Sequence, residues 1–343
     1  MAALTPAATA GLAVTSTTLK TDKTEDVGSR LGMLLLLSCV AIWGVNAVAF
    51  KVGTRGPYAF DAVMLNGLRF LLVAPFFLLI VALKRPGALR VEDKRDLIRY
   101  AAYGFISVAA SETLLTLSVR HTSVANMTLL GPGTISLFTA FWAVLLREQR
   151  LTRTGWIGAV VALLGVALVA SAGGGLHLDP HSLKGDALAL LRSALQGGYL
   201  LLLTRTLRER PVLTVTVYNV LFGALAFVPY VLWKAPTVAW AQVPGPVWVA
   251  LAWTVLPTTV YGFLAWNWSM RRTGAVAATN LMYLVPVFGA LAAWAVLGEP
   301  LHLGQIIGGI VIVAGIVTLR WDTMISGGYI PRLPSIRLPW RNK

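Results

Sequence analysis

The sequence predicts an all-α polytopic membrane protein, with ten transmembrane helices arranged as two inverted five-helix repeats. Three observations predict it: a composition suited to lipid, ten apolar runs flanked by unevenly spread positive charge, and an internal duplication. Hydrophobic residues make up 57% of the 343 and charged residues only 13%, and the mean hydropathy is +0.72. A water-soluble domain carries about 25% charged residues, so most of this surface belongs in lipid. The length holds about ten spans of ~20 residues with short loops between them.

The duplication shows when residues 120–169 are slid by 151 positions onto 271–320. Arg120 then falls on Arg271, Thr122 on Thr273, Thr128 on Thr279, Glu148 on Glu299 and Gly158 on Gly309. Coincident Leu or Val means little in an apolar chain, whereas coincident Arg, Thr, Glu and Gly mark a repeat. Each copy holds two apolar runs with a short turn at the glutamate.

Taken in order, residues 1–30 are rich in Ala and Thr and then carry Lys20, Asp22, Lys23, Glu25 and Asp26. They lack the basic start and apolar core of a secretory signal and read as a disordered N-tail. Ten apolar runs follow, near 32–51, 61–83, 97–119, 123–146, 154–171, 184–204, 213–234, 246–269, 275–297 and 303–320. Backbone groups cannot stay unpaired in lipid, so runs of this length must be helical. The first five form one repeat (31–171) and the second five another (184–320). The tail 321–343 is basic and punctuated by proline. The N-tail, the alternate loops and the C-tail hold 22 of the lysines and arginines, and the opposite loops hold 5. The positive-inside bias therefore places both termini in the cytoplasm of a plasma-membrane protein. A net charge of +15 would otherwise suggest nucleic acid. Here the charge sits in short loops between spans, so the lipid bilayer is the expected partner and nucleic acid is not. The single cysteine, Cys39, excludes an intrachain disulfide framework.

Five spans per half is an odd number, so the second repeat enters the membrane from the opposite side. Inverted repeats are a signature of alternating-access transporters, with the substrate near the midplane between the halves. Several motifs also carry a family resemblance: AIWGVNAVAFKVG near Trp43, LNGLRFLLVAP around Arg69, FLAWNWSMRRTGAVAAT around Trp266, and LVPVFGALAAWAVLGEPLHLGQIIGGIVIVAGIV. With these the chain resembles the EamA-type family of the drug/metabolite transporter superfamily, ten-helix carriers built from two five-helix repeats. The resemblance covers residues 32–320 and implies transport of a small-molecule substrate without specifying which. The first copy departs from the pattern, with Arg147 before Glu148 where Gly is usual. Pro132 also lies three positions before the slot of Pro286.

The expected function is secondary transport of a small organic metabolite, an amino acid or a drug-like compound, in the direction of export. The alternative is a polytopic membrane enzyme acting on lipid or a lipid-linked substrate, which would want clustered His, Asp or Ser near one face. His121, His177, His181 and His302 instead lie in loops or at helix ends, and Pro180 breaks the HLDPH spacing. No P-loop is present, and no cofactor, metal site or catalytic residue is expected.

Candidate substrate-binding residues come from prolines and buried polar groups. Pro132, Pro257 and Pro286 each remove a backbone hydrogen bond, and cavity-lining positions are where lipid tolerates that. Around them lie Tyr261, Trp266, Asn280 and Tyr283, with Trp43, Asn46, Gln196 and Tyr199 from helices one and six. Aromatics with a few polar groups suit a small-molecule pocket. Three charges fall inside spans, each a functional candidate by its cost in lipid: Arg69, Glu112 and Arg192. Counting residues from the outer ends puts them at similar depths, ~12, ~10 and ~12 Å. Glu112 is either ionised against a buried arginine, Arg69 first, or takes up and releases protons in the cycle. Arg69 also matches the helix-two arginine of the resembled family. Arg192 has Asp186 as an alternative partner, one to two turns above it. Glu148 and Glu299 read as anchors or caps for the helix that follows each. Gly155, Gly158, Gly165, Gly304 and Gly308 read as packing seams, and a homodimer through the same helices stays open.

Overall fold

The computed structural model of the chain describes residues 10–84, 91, 93–147, 151–172, 180–273, 281–319 and 321, and every regular element among them is helical. Helix α1 runs Ala10–Gly53, with Leu31–Gly53 as its apolar part. Helix α2 is Ala62–Lys84, opened by Asp61, whose carboxylate accepts from the N–H groups of Val63 and Met64. Helix α3, Lys94–His121, widens into a π turn at Phe105–Ala110. Helix α4, Val124–Leu145, is capped by Ser123 and broken by a 3-10 turn at Pro132–Thr134. Then come α5 (Arg153–Ala172), α6 (Pro180–Glu209) and α7 (Val212–Lys234). Helix α8 joins Gly245–Trp253, a π turn at Thr254–Tyr261, and Gly262–Thr273. Helix α9, Val285–Leu297, follows a 3-10 turn at Met282–Leu284, and α10 is Leu303–Leu319. The irregular turns of α4 and α8 fall at Pro132 and Pro257, where proline lacks the N–H that a regular turn requires.

Eight of these helices are long and apolar enough to cross a membrane, and the stretches Met282–Leu297 and Leu303–Leu319 are shorter apolar helices. The 17 residues of α10 rise ~25 Å, short of a ~30 Å hydrocarbon core. The apolar run at 275–297 starts within 274–280, outside the described residues. Glu148 and all of the C-tail except Trp321 also lie outside them. Helix α1 begins 21 residues before its apolar part, in a segment whose composition predicts a disordered tail. Extending a helix that is already nucleated costs far less than starting one.

The outward faces are apolar: Leu83 is 75% exposed, and Trp233 and Leu303 are each 71% exposed. An apolar surface of this extent is a liability in water and natural in lipid. Inside, the principal partners are α5 with α10, α2 with α7, α3 with α6 and α7, and α1 with α8 and α9. Helix α4 lies against α6 and α9, and α2 against α8. These principal pairings are unchanged when every helix is exchanged for the one five places along the chain. The irregular turns obey the same exchange. Shifted by 151 residues, the π turn of α3 falls inside that of α8, and the 3-10 turn of α4 overlaps the one before α9.

The α5–α10 seam rests on small residues. A Cβ on Gly165 would lie 2.6 Å from the backbone N of Ile312, and one on Gly308 would lie 2.7 Å from Val169 Cγ2. Gly158 and Gly315 meet the opposite backbone just as closely. These four glycines are therefore covered within the chain, so a dimer would need other faces.

One set of polar contacts marks the two ends of the bundle. At one, Lys51 of α1 bridges Glu299 beyond α9 at 2.5 Å and donates to the Thr122 carbonyl after α3. Thr122 donates to Asp186 at the start of α6, and Tyr230 near the end of α7 donates to Asp61 before α2. At the other end, Asp96 of α3 receives Arg210, from the α6–α7 connection, at 2.8 Å. Helix α1 thus ends where α6 begins, and α2 begins where α7 ends.

Candidate functional site

The three intramembrane charges converge on Glu112. Its Oε2 accepts from Arg69 Nη1 at 2.8 Å, and its Oε1 lies 3.5 Å from Arg192 Nη2. The arginine side chains are 4% and 8% exposed, against 17% for Glu112, so the carboxylate borders accessible space while the cations are enclosed. Depth alone predicted the Arg69–Glu112 pair, because helix rise converts residue count into height. Depth likewise put Arg192 within reach of Glu112 but left Asp186 open as its partner. Arg192 does not pair with Asp186, which accepts instead from Thr122 Oγ1 and Asn126 Nδ2. Six residues at ~100° each turn those two side chains ~120° apart on α6.

Arg69 is fastened on several sides. Its Nε donates to Thr259 Oγ1 at 2.9 Å, and its guanidinium lies 4.6 Å from the ring centre of Phe70 and 5.5 Å from that of Phe50. Thr259 Oγ1 in turn donates to the Thr254 carbonyl, inside the π turn of α8. One turn before Arg69, Asn66 Nδ2 lies within hydrogen-bonding distance of the Glu112 carbonyl and Thr116 Oγ1. These bonds hold α2 and α3 in register behind the ion cluster.

The α8 π turn is gripped from its other side by α1. A π turn shifts the backbone ladder and leaves carbonyls available to outside donors. Trp43 Nε1 donates to the Thr258 carbonyl at 3.1 Å, and Thr258 Oγ1 donates to Asn46 Oδ1 at 3.0 Å. The Trp43 and Trp266 rings lie 4.9 Å apart, tilted by 44°. Tyr261, more exposed, shares a 2.7 Å hydrogen bond with Ser38 on α1.

The sequence-predicted residues therefore fall into separate groups. Arg69 and Glu112 form the ion cluster, with Gln196 one turn beyond Arg192 on α6. Trp43, Asn46, Tyr261 and Trp266 form the α1–α8 contact. Tyr199 is buried elsewhere, edge-on to Tyr103 at 5.7 Å and receiving a hydrogen bond from Asn219 Nδ2. Tyr283, in the turn before α9, reaches Ser136 of α4 at 3.4 Å. Asn280 lies outside the described residues. Sequence reasoning passed over Asn66, Ser107, Asn219, Thr258 and Thr259, which carry the cross-helix bonds. Their only signal is polarity within an apolar run, and Pro257 marked the neighbourhood of two of them.

Glu299 is a structural anchor, though not of the helix that follows it. Its Oε2 accepts the Val124 N–H at the start of α4, and its Oε1 holds Lys51. The start of α10 is held instead by Gln305, which accepts from the His302 N–H and donates to Asn126 Oδ1. Beside Glu299 opens a cavity of about 420 Å³ lined by Lys51, Thr54, Arg55, Gly56, Arg120 and Glu299. Three cations and one carboxylate make it electropositive. Arg120 is eight residues beyond Glu112 on α3, so this cavity lies ~12 Å further along the bundle than the ion cluster.

Comparison with known proteins agrees with this architecture. The EamA-like transporter family model matches residues 30–171 and again 183–321. YyaM, an uncharacterized transporter of Bacillus subtilis, is 27% identical over 287 residues, covering 83% of this chain and 92% of its own. A protein of Streptantibioticus cattleyicolor named as a probable terminal-alkyne amino-acid exporter is 26% identical, covering 84% and 93%. A probable amino-acid metabolite efflux pump of Salmonella typhimurium is also 26% identical, covering 84% and 94%. A crystal structure 17% identical in sequence shares the fold, with a TM-score of 0.59 over 86% of this chain and 98% of that one. With its family matched once in each half and its apolar helices packed around a buried ion cluster, the chain belongs to the EamA-like transporter family.

Proposed function

We propose that the chain is a secondary transporter that exports a small organic metabolite across the plasma membrane by alternating access. Its ten spans form two inverted five-helix repeats, and both termini lie in the cytoplasm. The observation that carries this reading is the ion cluster shared between the halves. Arg69 and Glu112 belong to the first repeat, whereas Arg192 and Thr259, which complete their contacts, belong to the second. Rocking one half against the other would break or remake those contacts, as an alternating-access cycle requires. The exchange symmetry of the packing, the matched irregular turns and the antiparallel placement of α1 against α6 support the inversion. The relatives named for amino-acid export support the substrate range and the direction, with drug-like compounds as the wider class.

The test is solute movement in inside-out vesicles screened with amino acids, cationic dyes and organic anions. Export predicts chain-dependent accumulation of one class. Alternating access further predicts that unlabelled solute on one side accelerates entry of labelled solute from the other. Flux proportional to the gradient without that exchange would refute alternating access.

A further inference from the structure

Arg69 and Arg192 flank one carboxylate, but they are not in the same condition. Arg69 is occupied, with Nη1 on Glu112, Nε on Thr259 and aromatic rings beside its guanidinium. Arg192 is 7% exposed, yet its Nε and Nη1 have no hydrogen-bond partner among the described residues, and its Nη2 reaches Glu112 only at 3.5 Å. A buried guanidinium with idle donors is costly unless something else receives them. Two guanidinium charges against one carboxylate also leave the cluster short of one negative charge. One turn along α6, the buried Gln196 Oε1 likewise has no partner among the described residues. Unsatisfied guanidinium donors thus sit beside the accessible edge of Glu112, with an unsatisfied amide oxygen one turn along the same helix.

We propose that Arg192, rather than Arg69, recognises the substrate, and that the group it recognises is a carboxylate. The inference rests on the transporter reading and deepens it. The carboxylate supplies the missing negative charge and takes the free donors in charge-assisted hydrogen bonds. Gln196 Oε1 and the exposed edge of Glu112 are left to accept from an amino group where the substrate has one. The acid group is therefore required, and the amino group is optional.

The test compares cells expressing the full chain, its Arg192→Gln and Arg192→Lys variants, an empty vector and a Trp240→Ala control, Trp240 being an exposed residue of the α7–α8 connection. Mass spectrometry of medium and cytosol identifies the solutes whose partition depends on the chain. Wild type and Trp240→Ala should shift carboxylate-bearing solutes. Arg192→Gln should lose this movement by roughly 10–100-fold, as expected for one lost charge-assisted bond, and Arg192→Lys should fall between. Purified Arg192→Gln should keep its thermal midpoint, because Arg69 still holds Glu112. The proposal is overturned if wild type moves only solutes without an acid group, or if Arg192→Gln moves the same acids equally well. Collapse of both Arg192 variants on purification would assign the residue to the scaffold and also overturn it. Absence of any difference between wild type and empty vector would instead count against the transporter reading and remove this one with it.

Discussion

Glu112→Gln keeps the shape of the side chain and removes the one negative charge held between two arginines. At an effective dielectric of ~20, unit charges 2.8 and 3.5 Å apart attract by about 6 and about 5 kcal/mol, before desolvation and the repulsion between the arginines are counted. Breaking a buried pair by removing one partner costs roughly 3–5 kcal/mol net. Glu112 is 17% exposed, which places it at the lower end, about 3 kcal/mol. Each kcal/mol moves the unfolding midpoint by about 2–4 °C in chains of 150–250 residues and by less in longer ones, so the expected fall is roughly 5 °C. The assay is thermal unfolding of purified protein, run beside substrate exchange in proteoliposomes with and without a pH gradient. Exchange and stability should fall together. A cycle with Arg69→Met and Arg192→Gln should show stronger coupling of Glu112 to Arg69 than to Arg192, in line with the distances. Swapping the charges of residues 69 and 112 is the poorer test, since an arginine at 112 would face Arg192. If Glu112→Gln loses only pH-driven uptake, with exchange and midpoint unchanged, the carboxylate is a proton carrier and the ion-pair account is refuted.

Topology is checked by single cysteines in a Cys39→Ala background, tested with an impermeant thiol reagent on intact cells. Tyr58→Cys and Gln242→Cys should react and Thr152→Cys should not, since all three sites are exposed and lie on opposite sides in the inverted arrangement; the reverse pattern would invert the orientation. Gly165→Leu should abolish a monodisperse peak in size-exclusion chromatography, because the added Cβ meets the backbone of α10. Normal folding with a changed oligomeric state would instead assign that glycine face to contact between chains. Trp43→Phe should lower stability by about 1–3 kcal/mol through the orphaned Thr258 carbonyl, measured by thermal unfolding. An unchanged midpoint would mean the π turn does not depend on its α1 clamp.

What the sequence alone determines here is everything set by composition, period and helix rise. Apolar runs must become helices because lipid offers backbone groups no other partner, and the 151-residue echo of Arg, Thr, Glu and Gly marks the duplication. Constant rise per residue put Arg69 and Glu112 at one height, and the structure pairs them at 2.8 Å. Direction around each helix is a different matter. Every residue turns a side chain by ~100°, so a single π turn such as Thr254–Tyr261 re-aims everything beyond it, and Pro257 marks its place without giving the new direction. The tertiary structure alone therefore decided that Arg192 faces Glu112 rather than Asp186, and that Glu299 secures α4 rather than α10. It also decided that Trp43 and Tyr199, both aromatic and both in spans, serve separate clusters. Height follows from counting along one helix, whereas facing depends on how all the helices pack against one another.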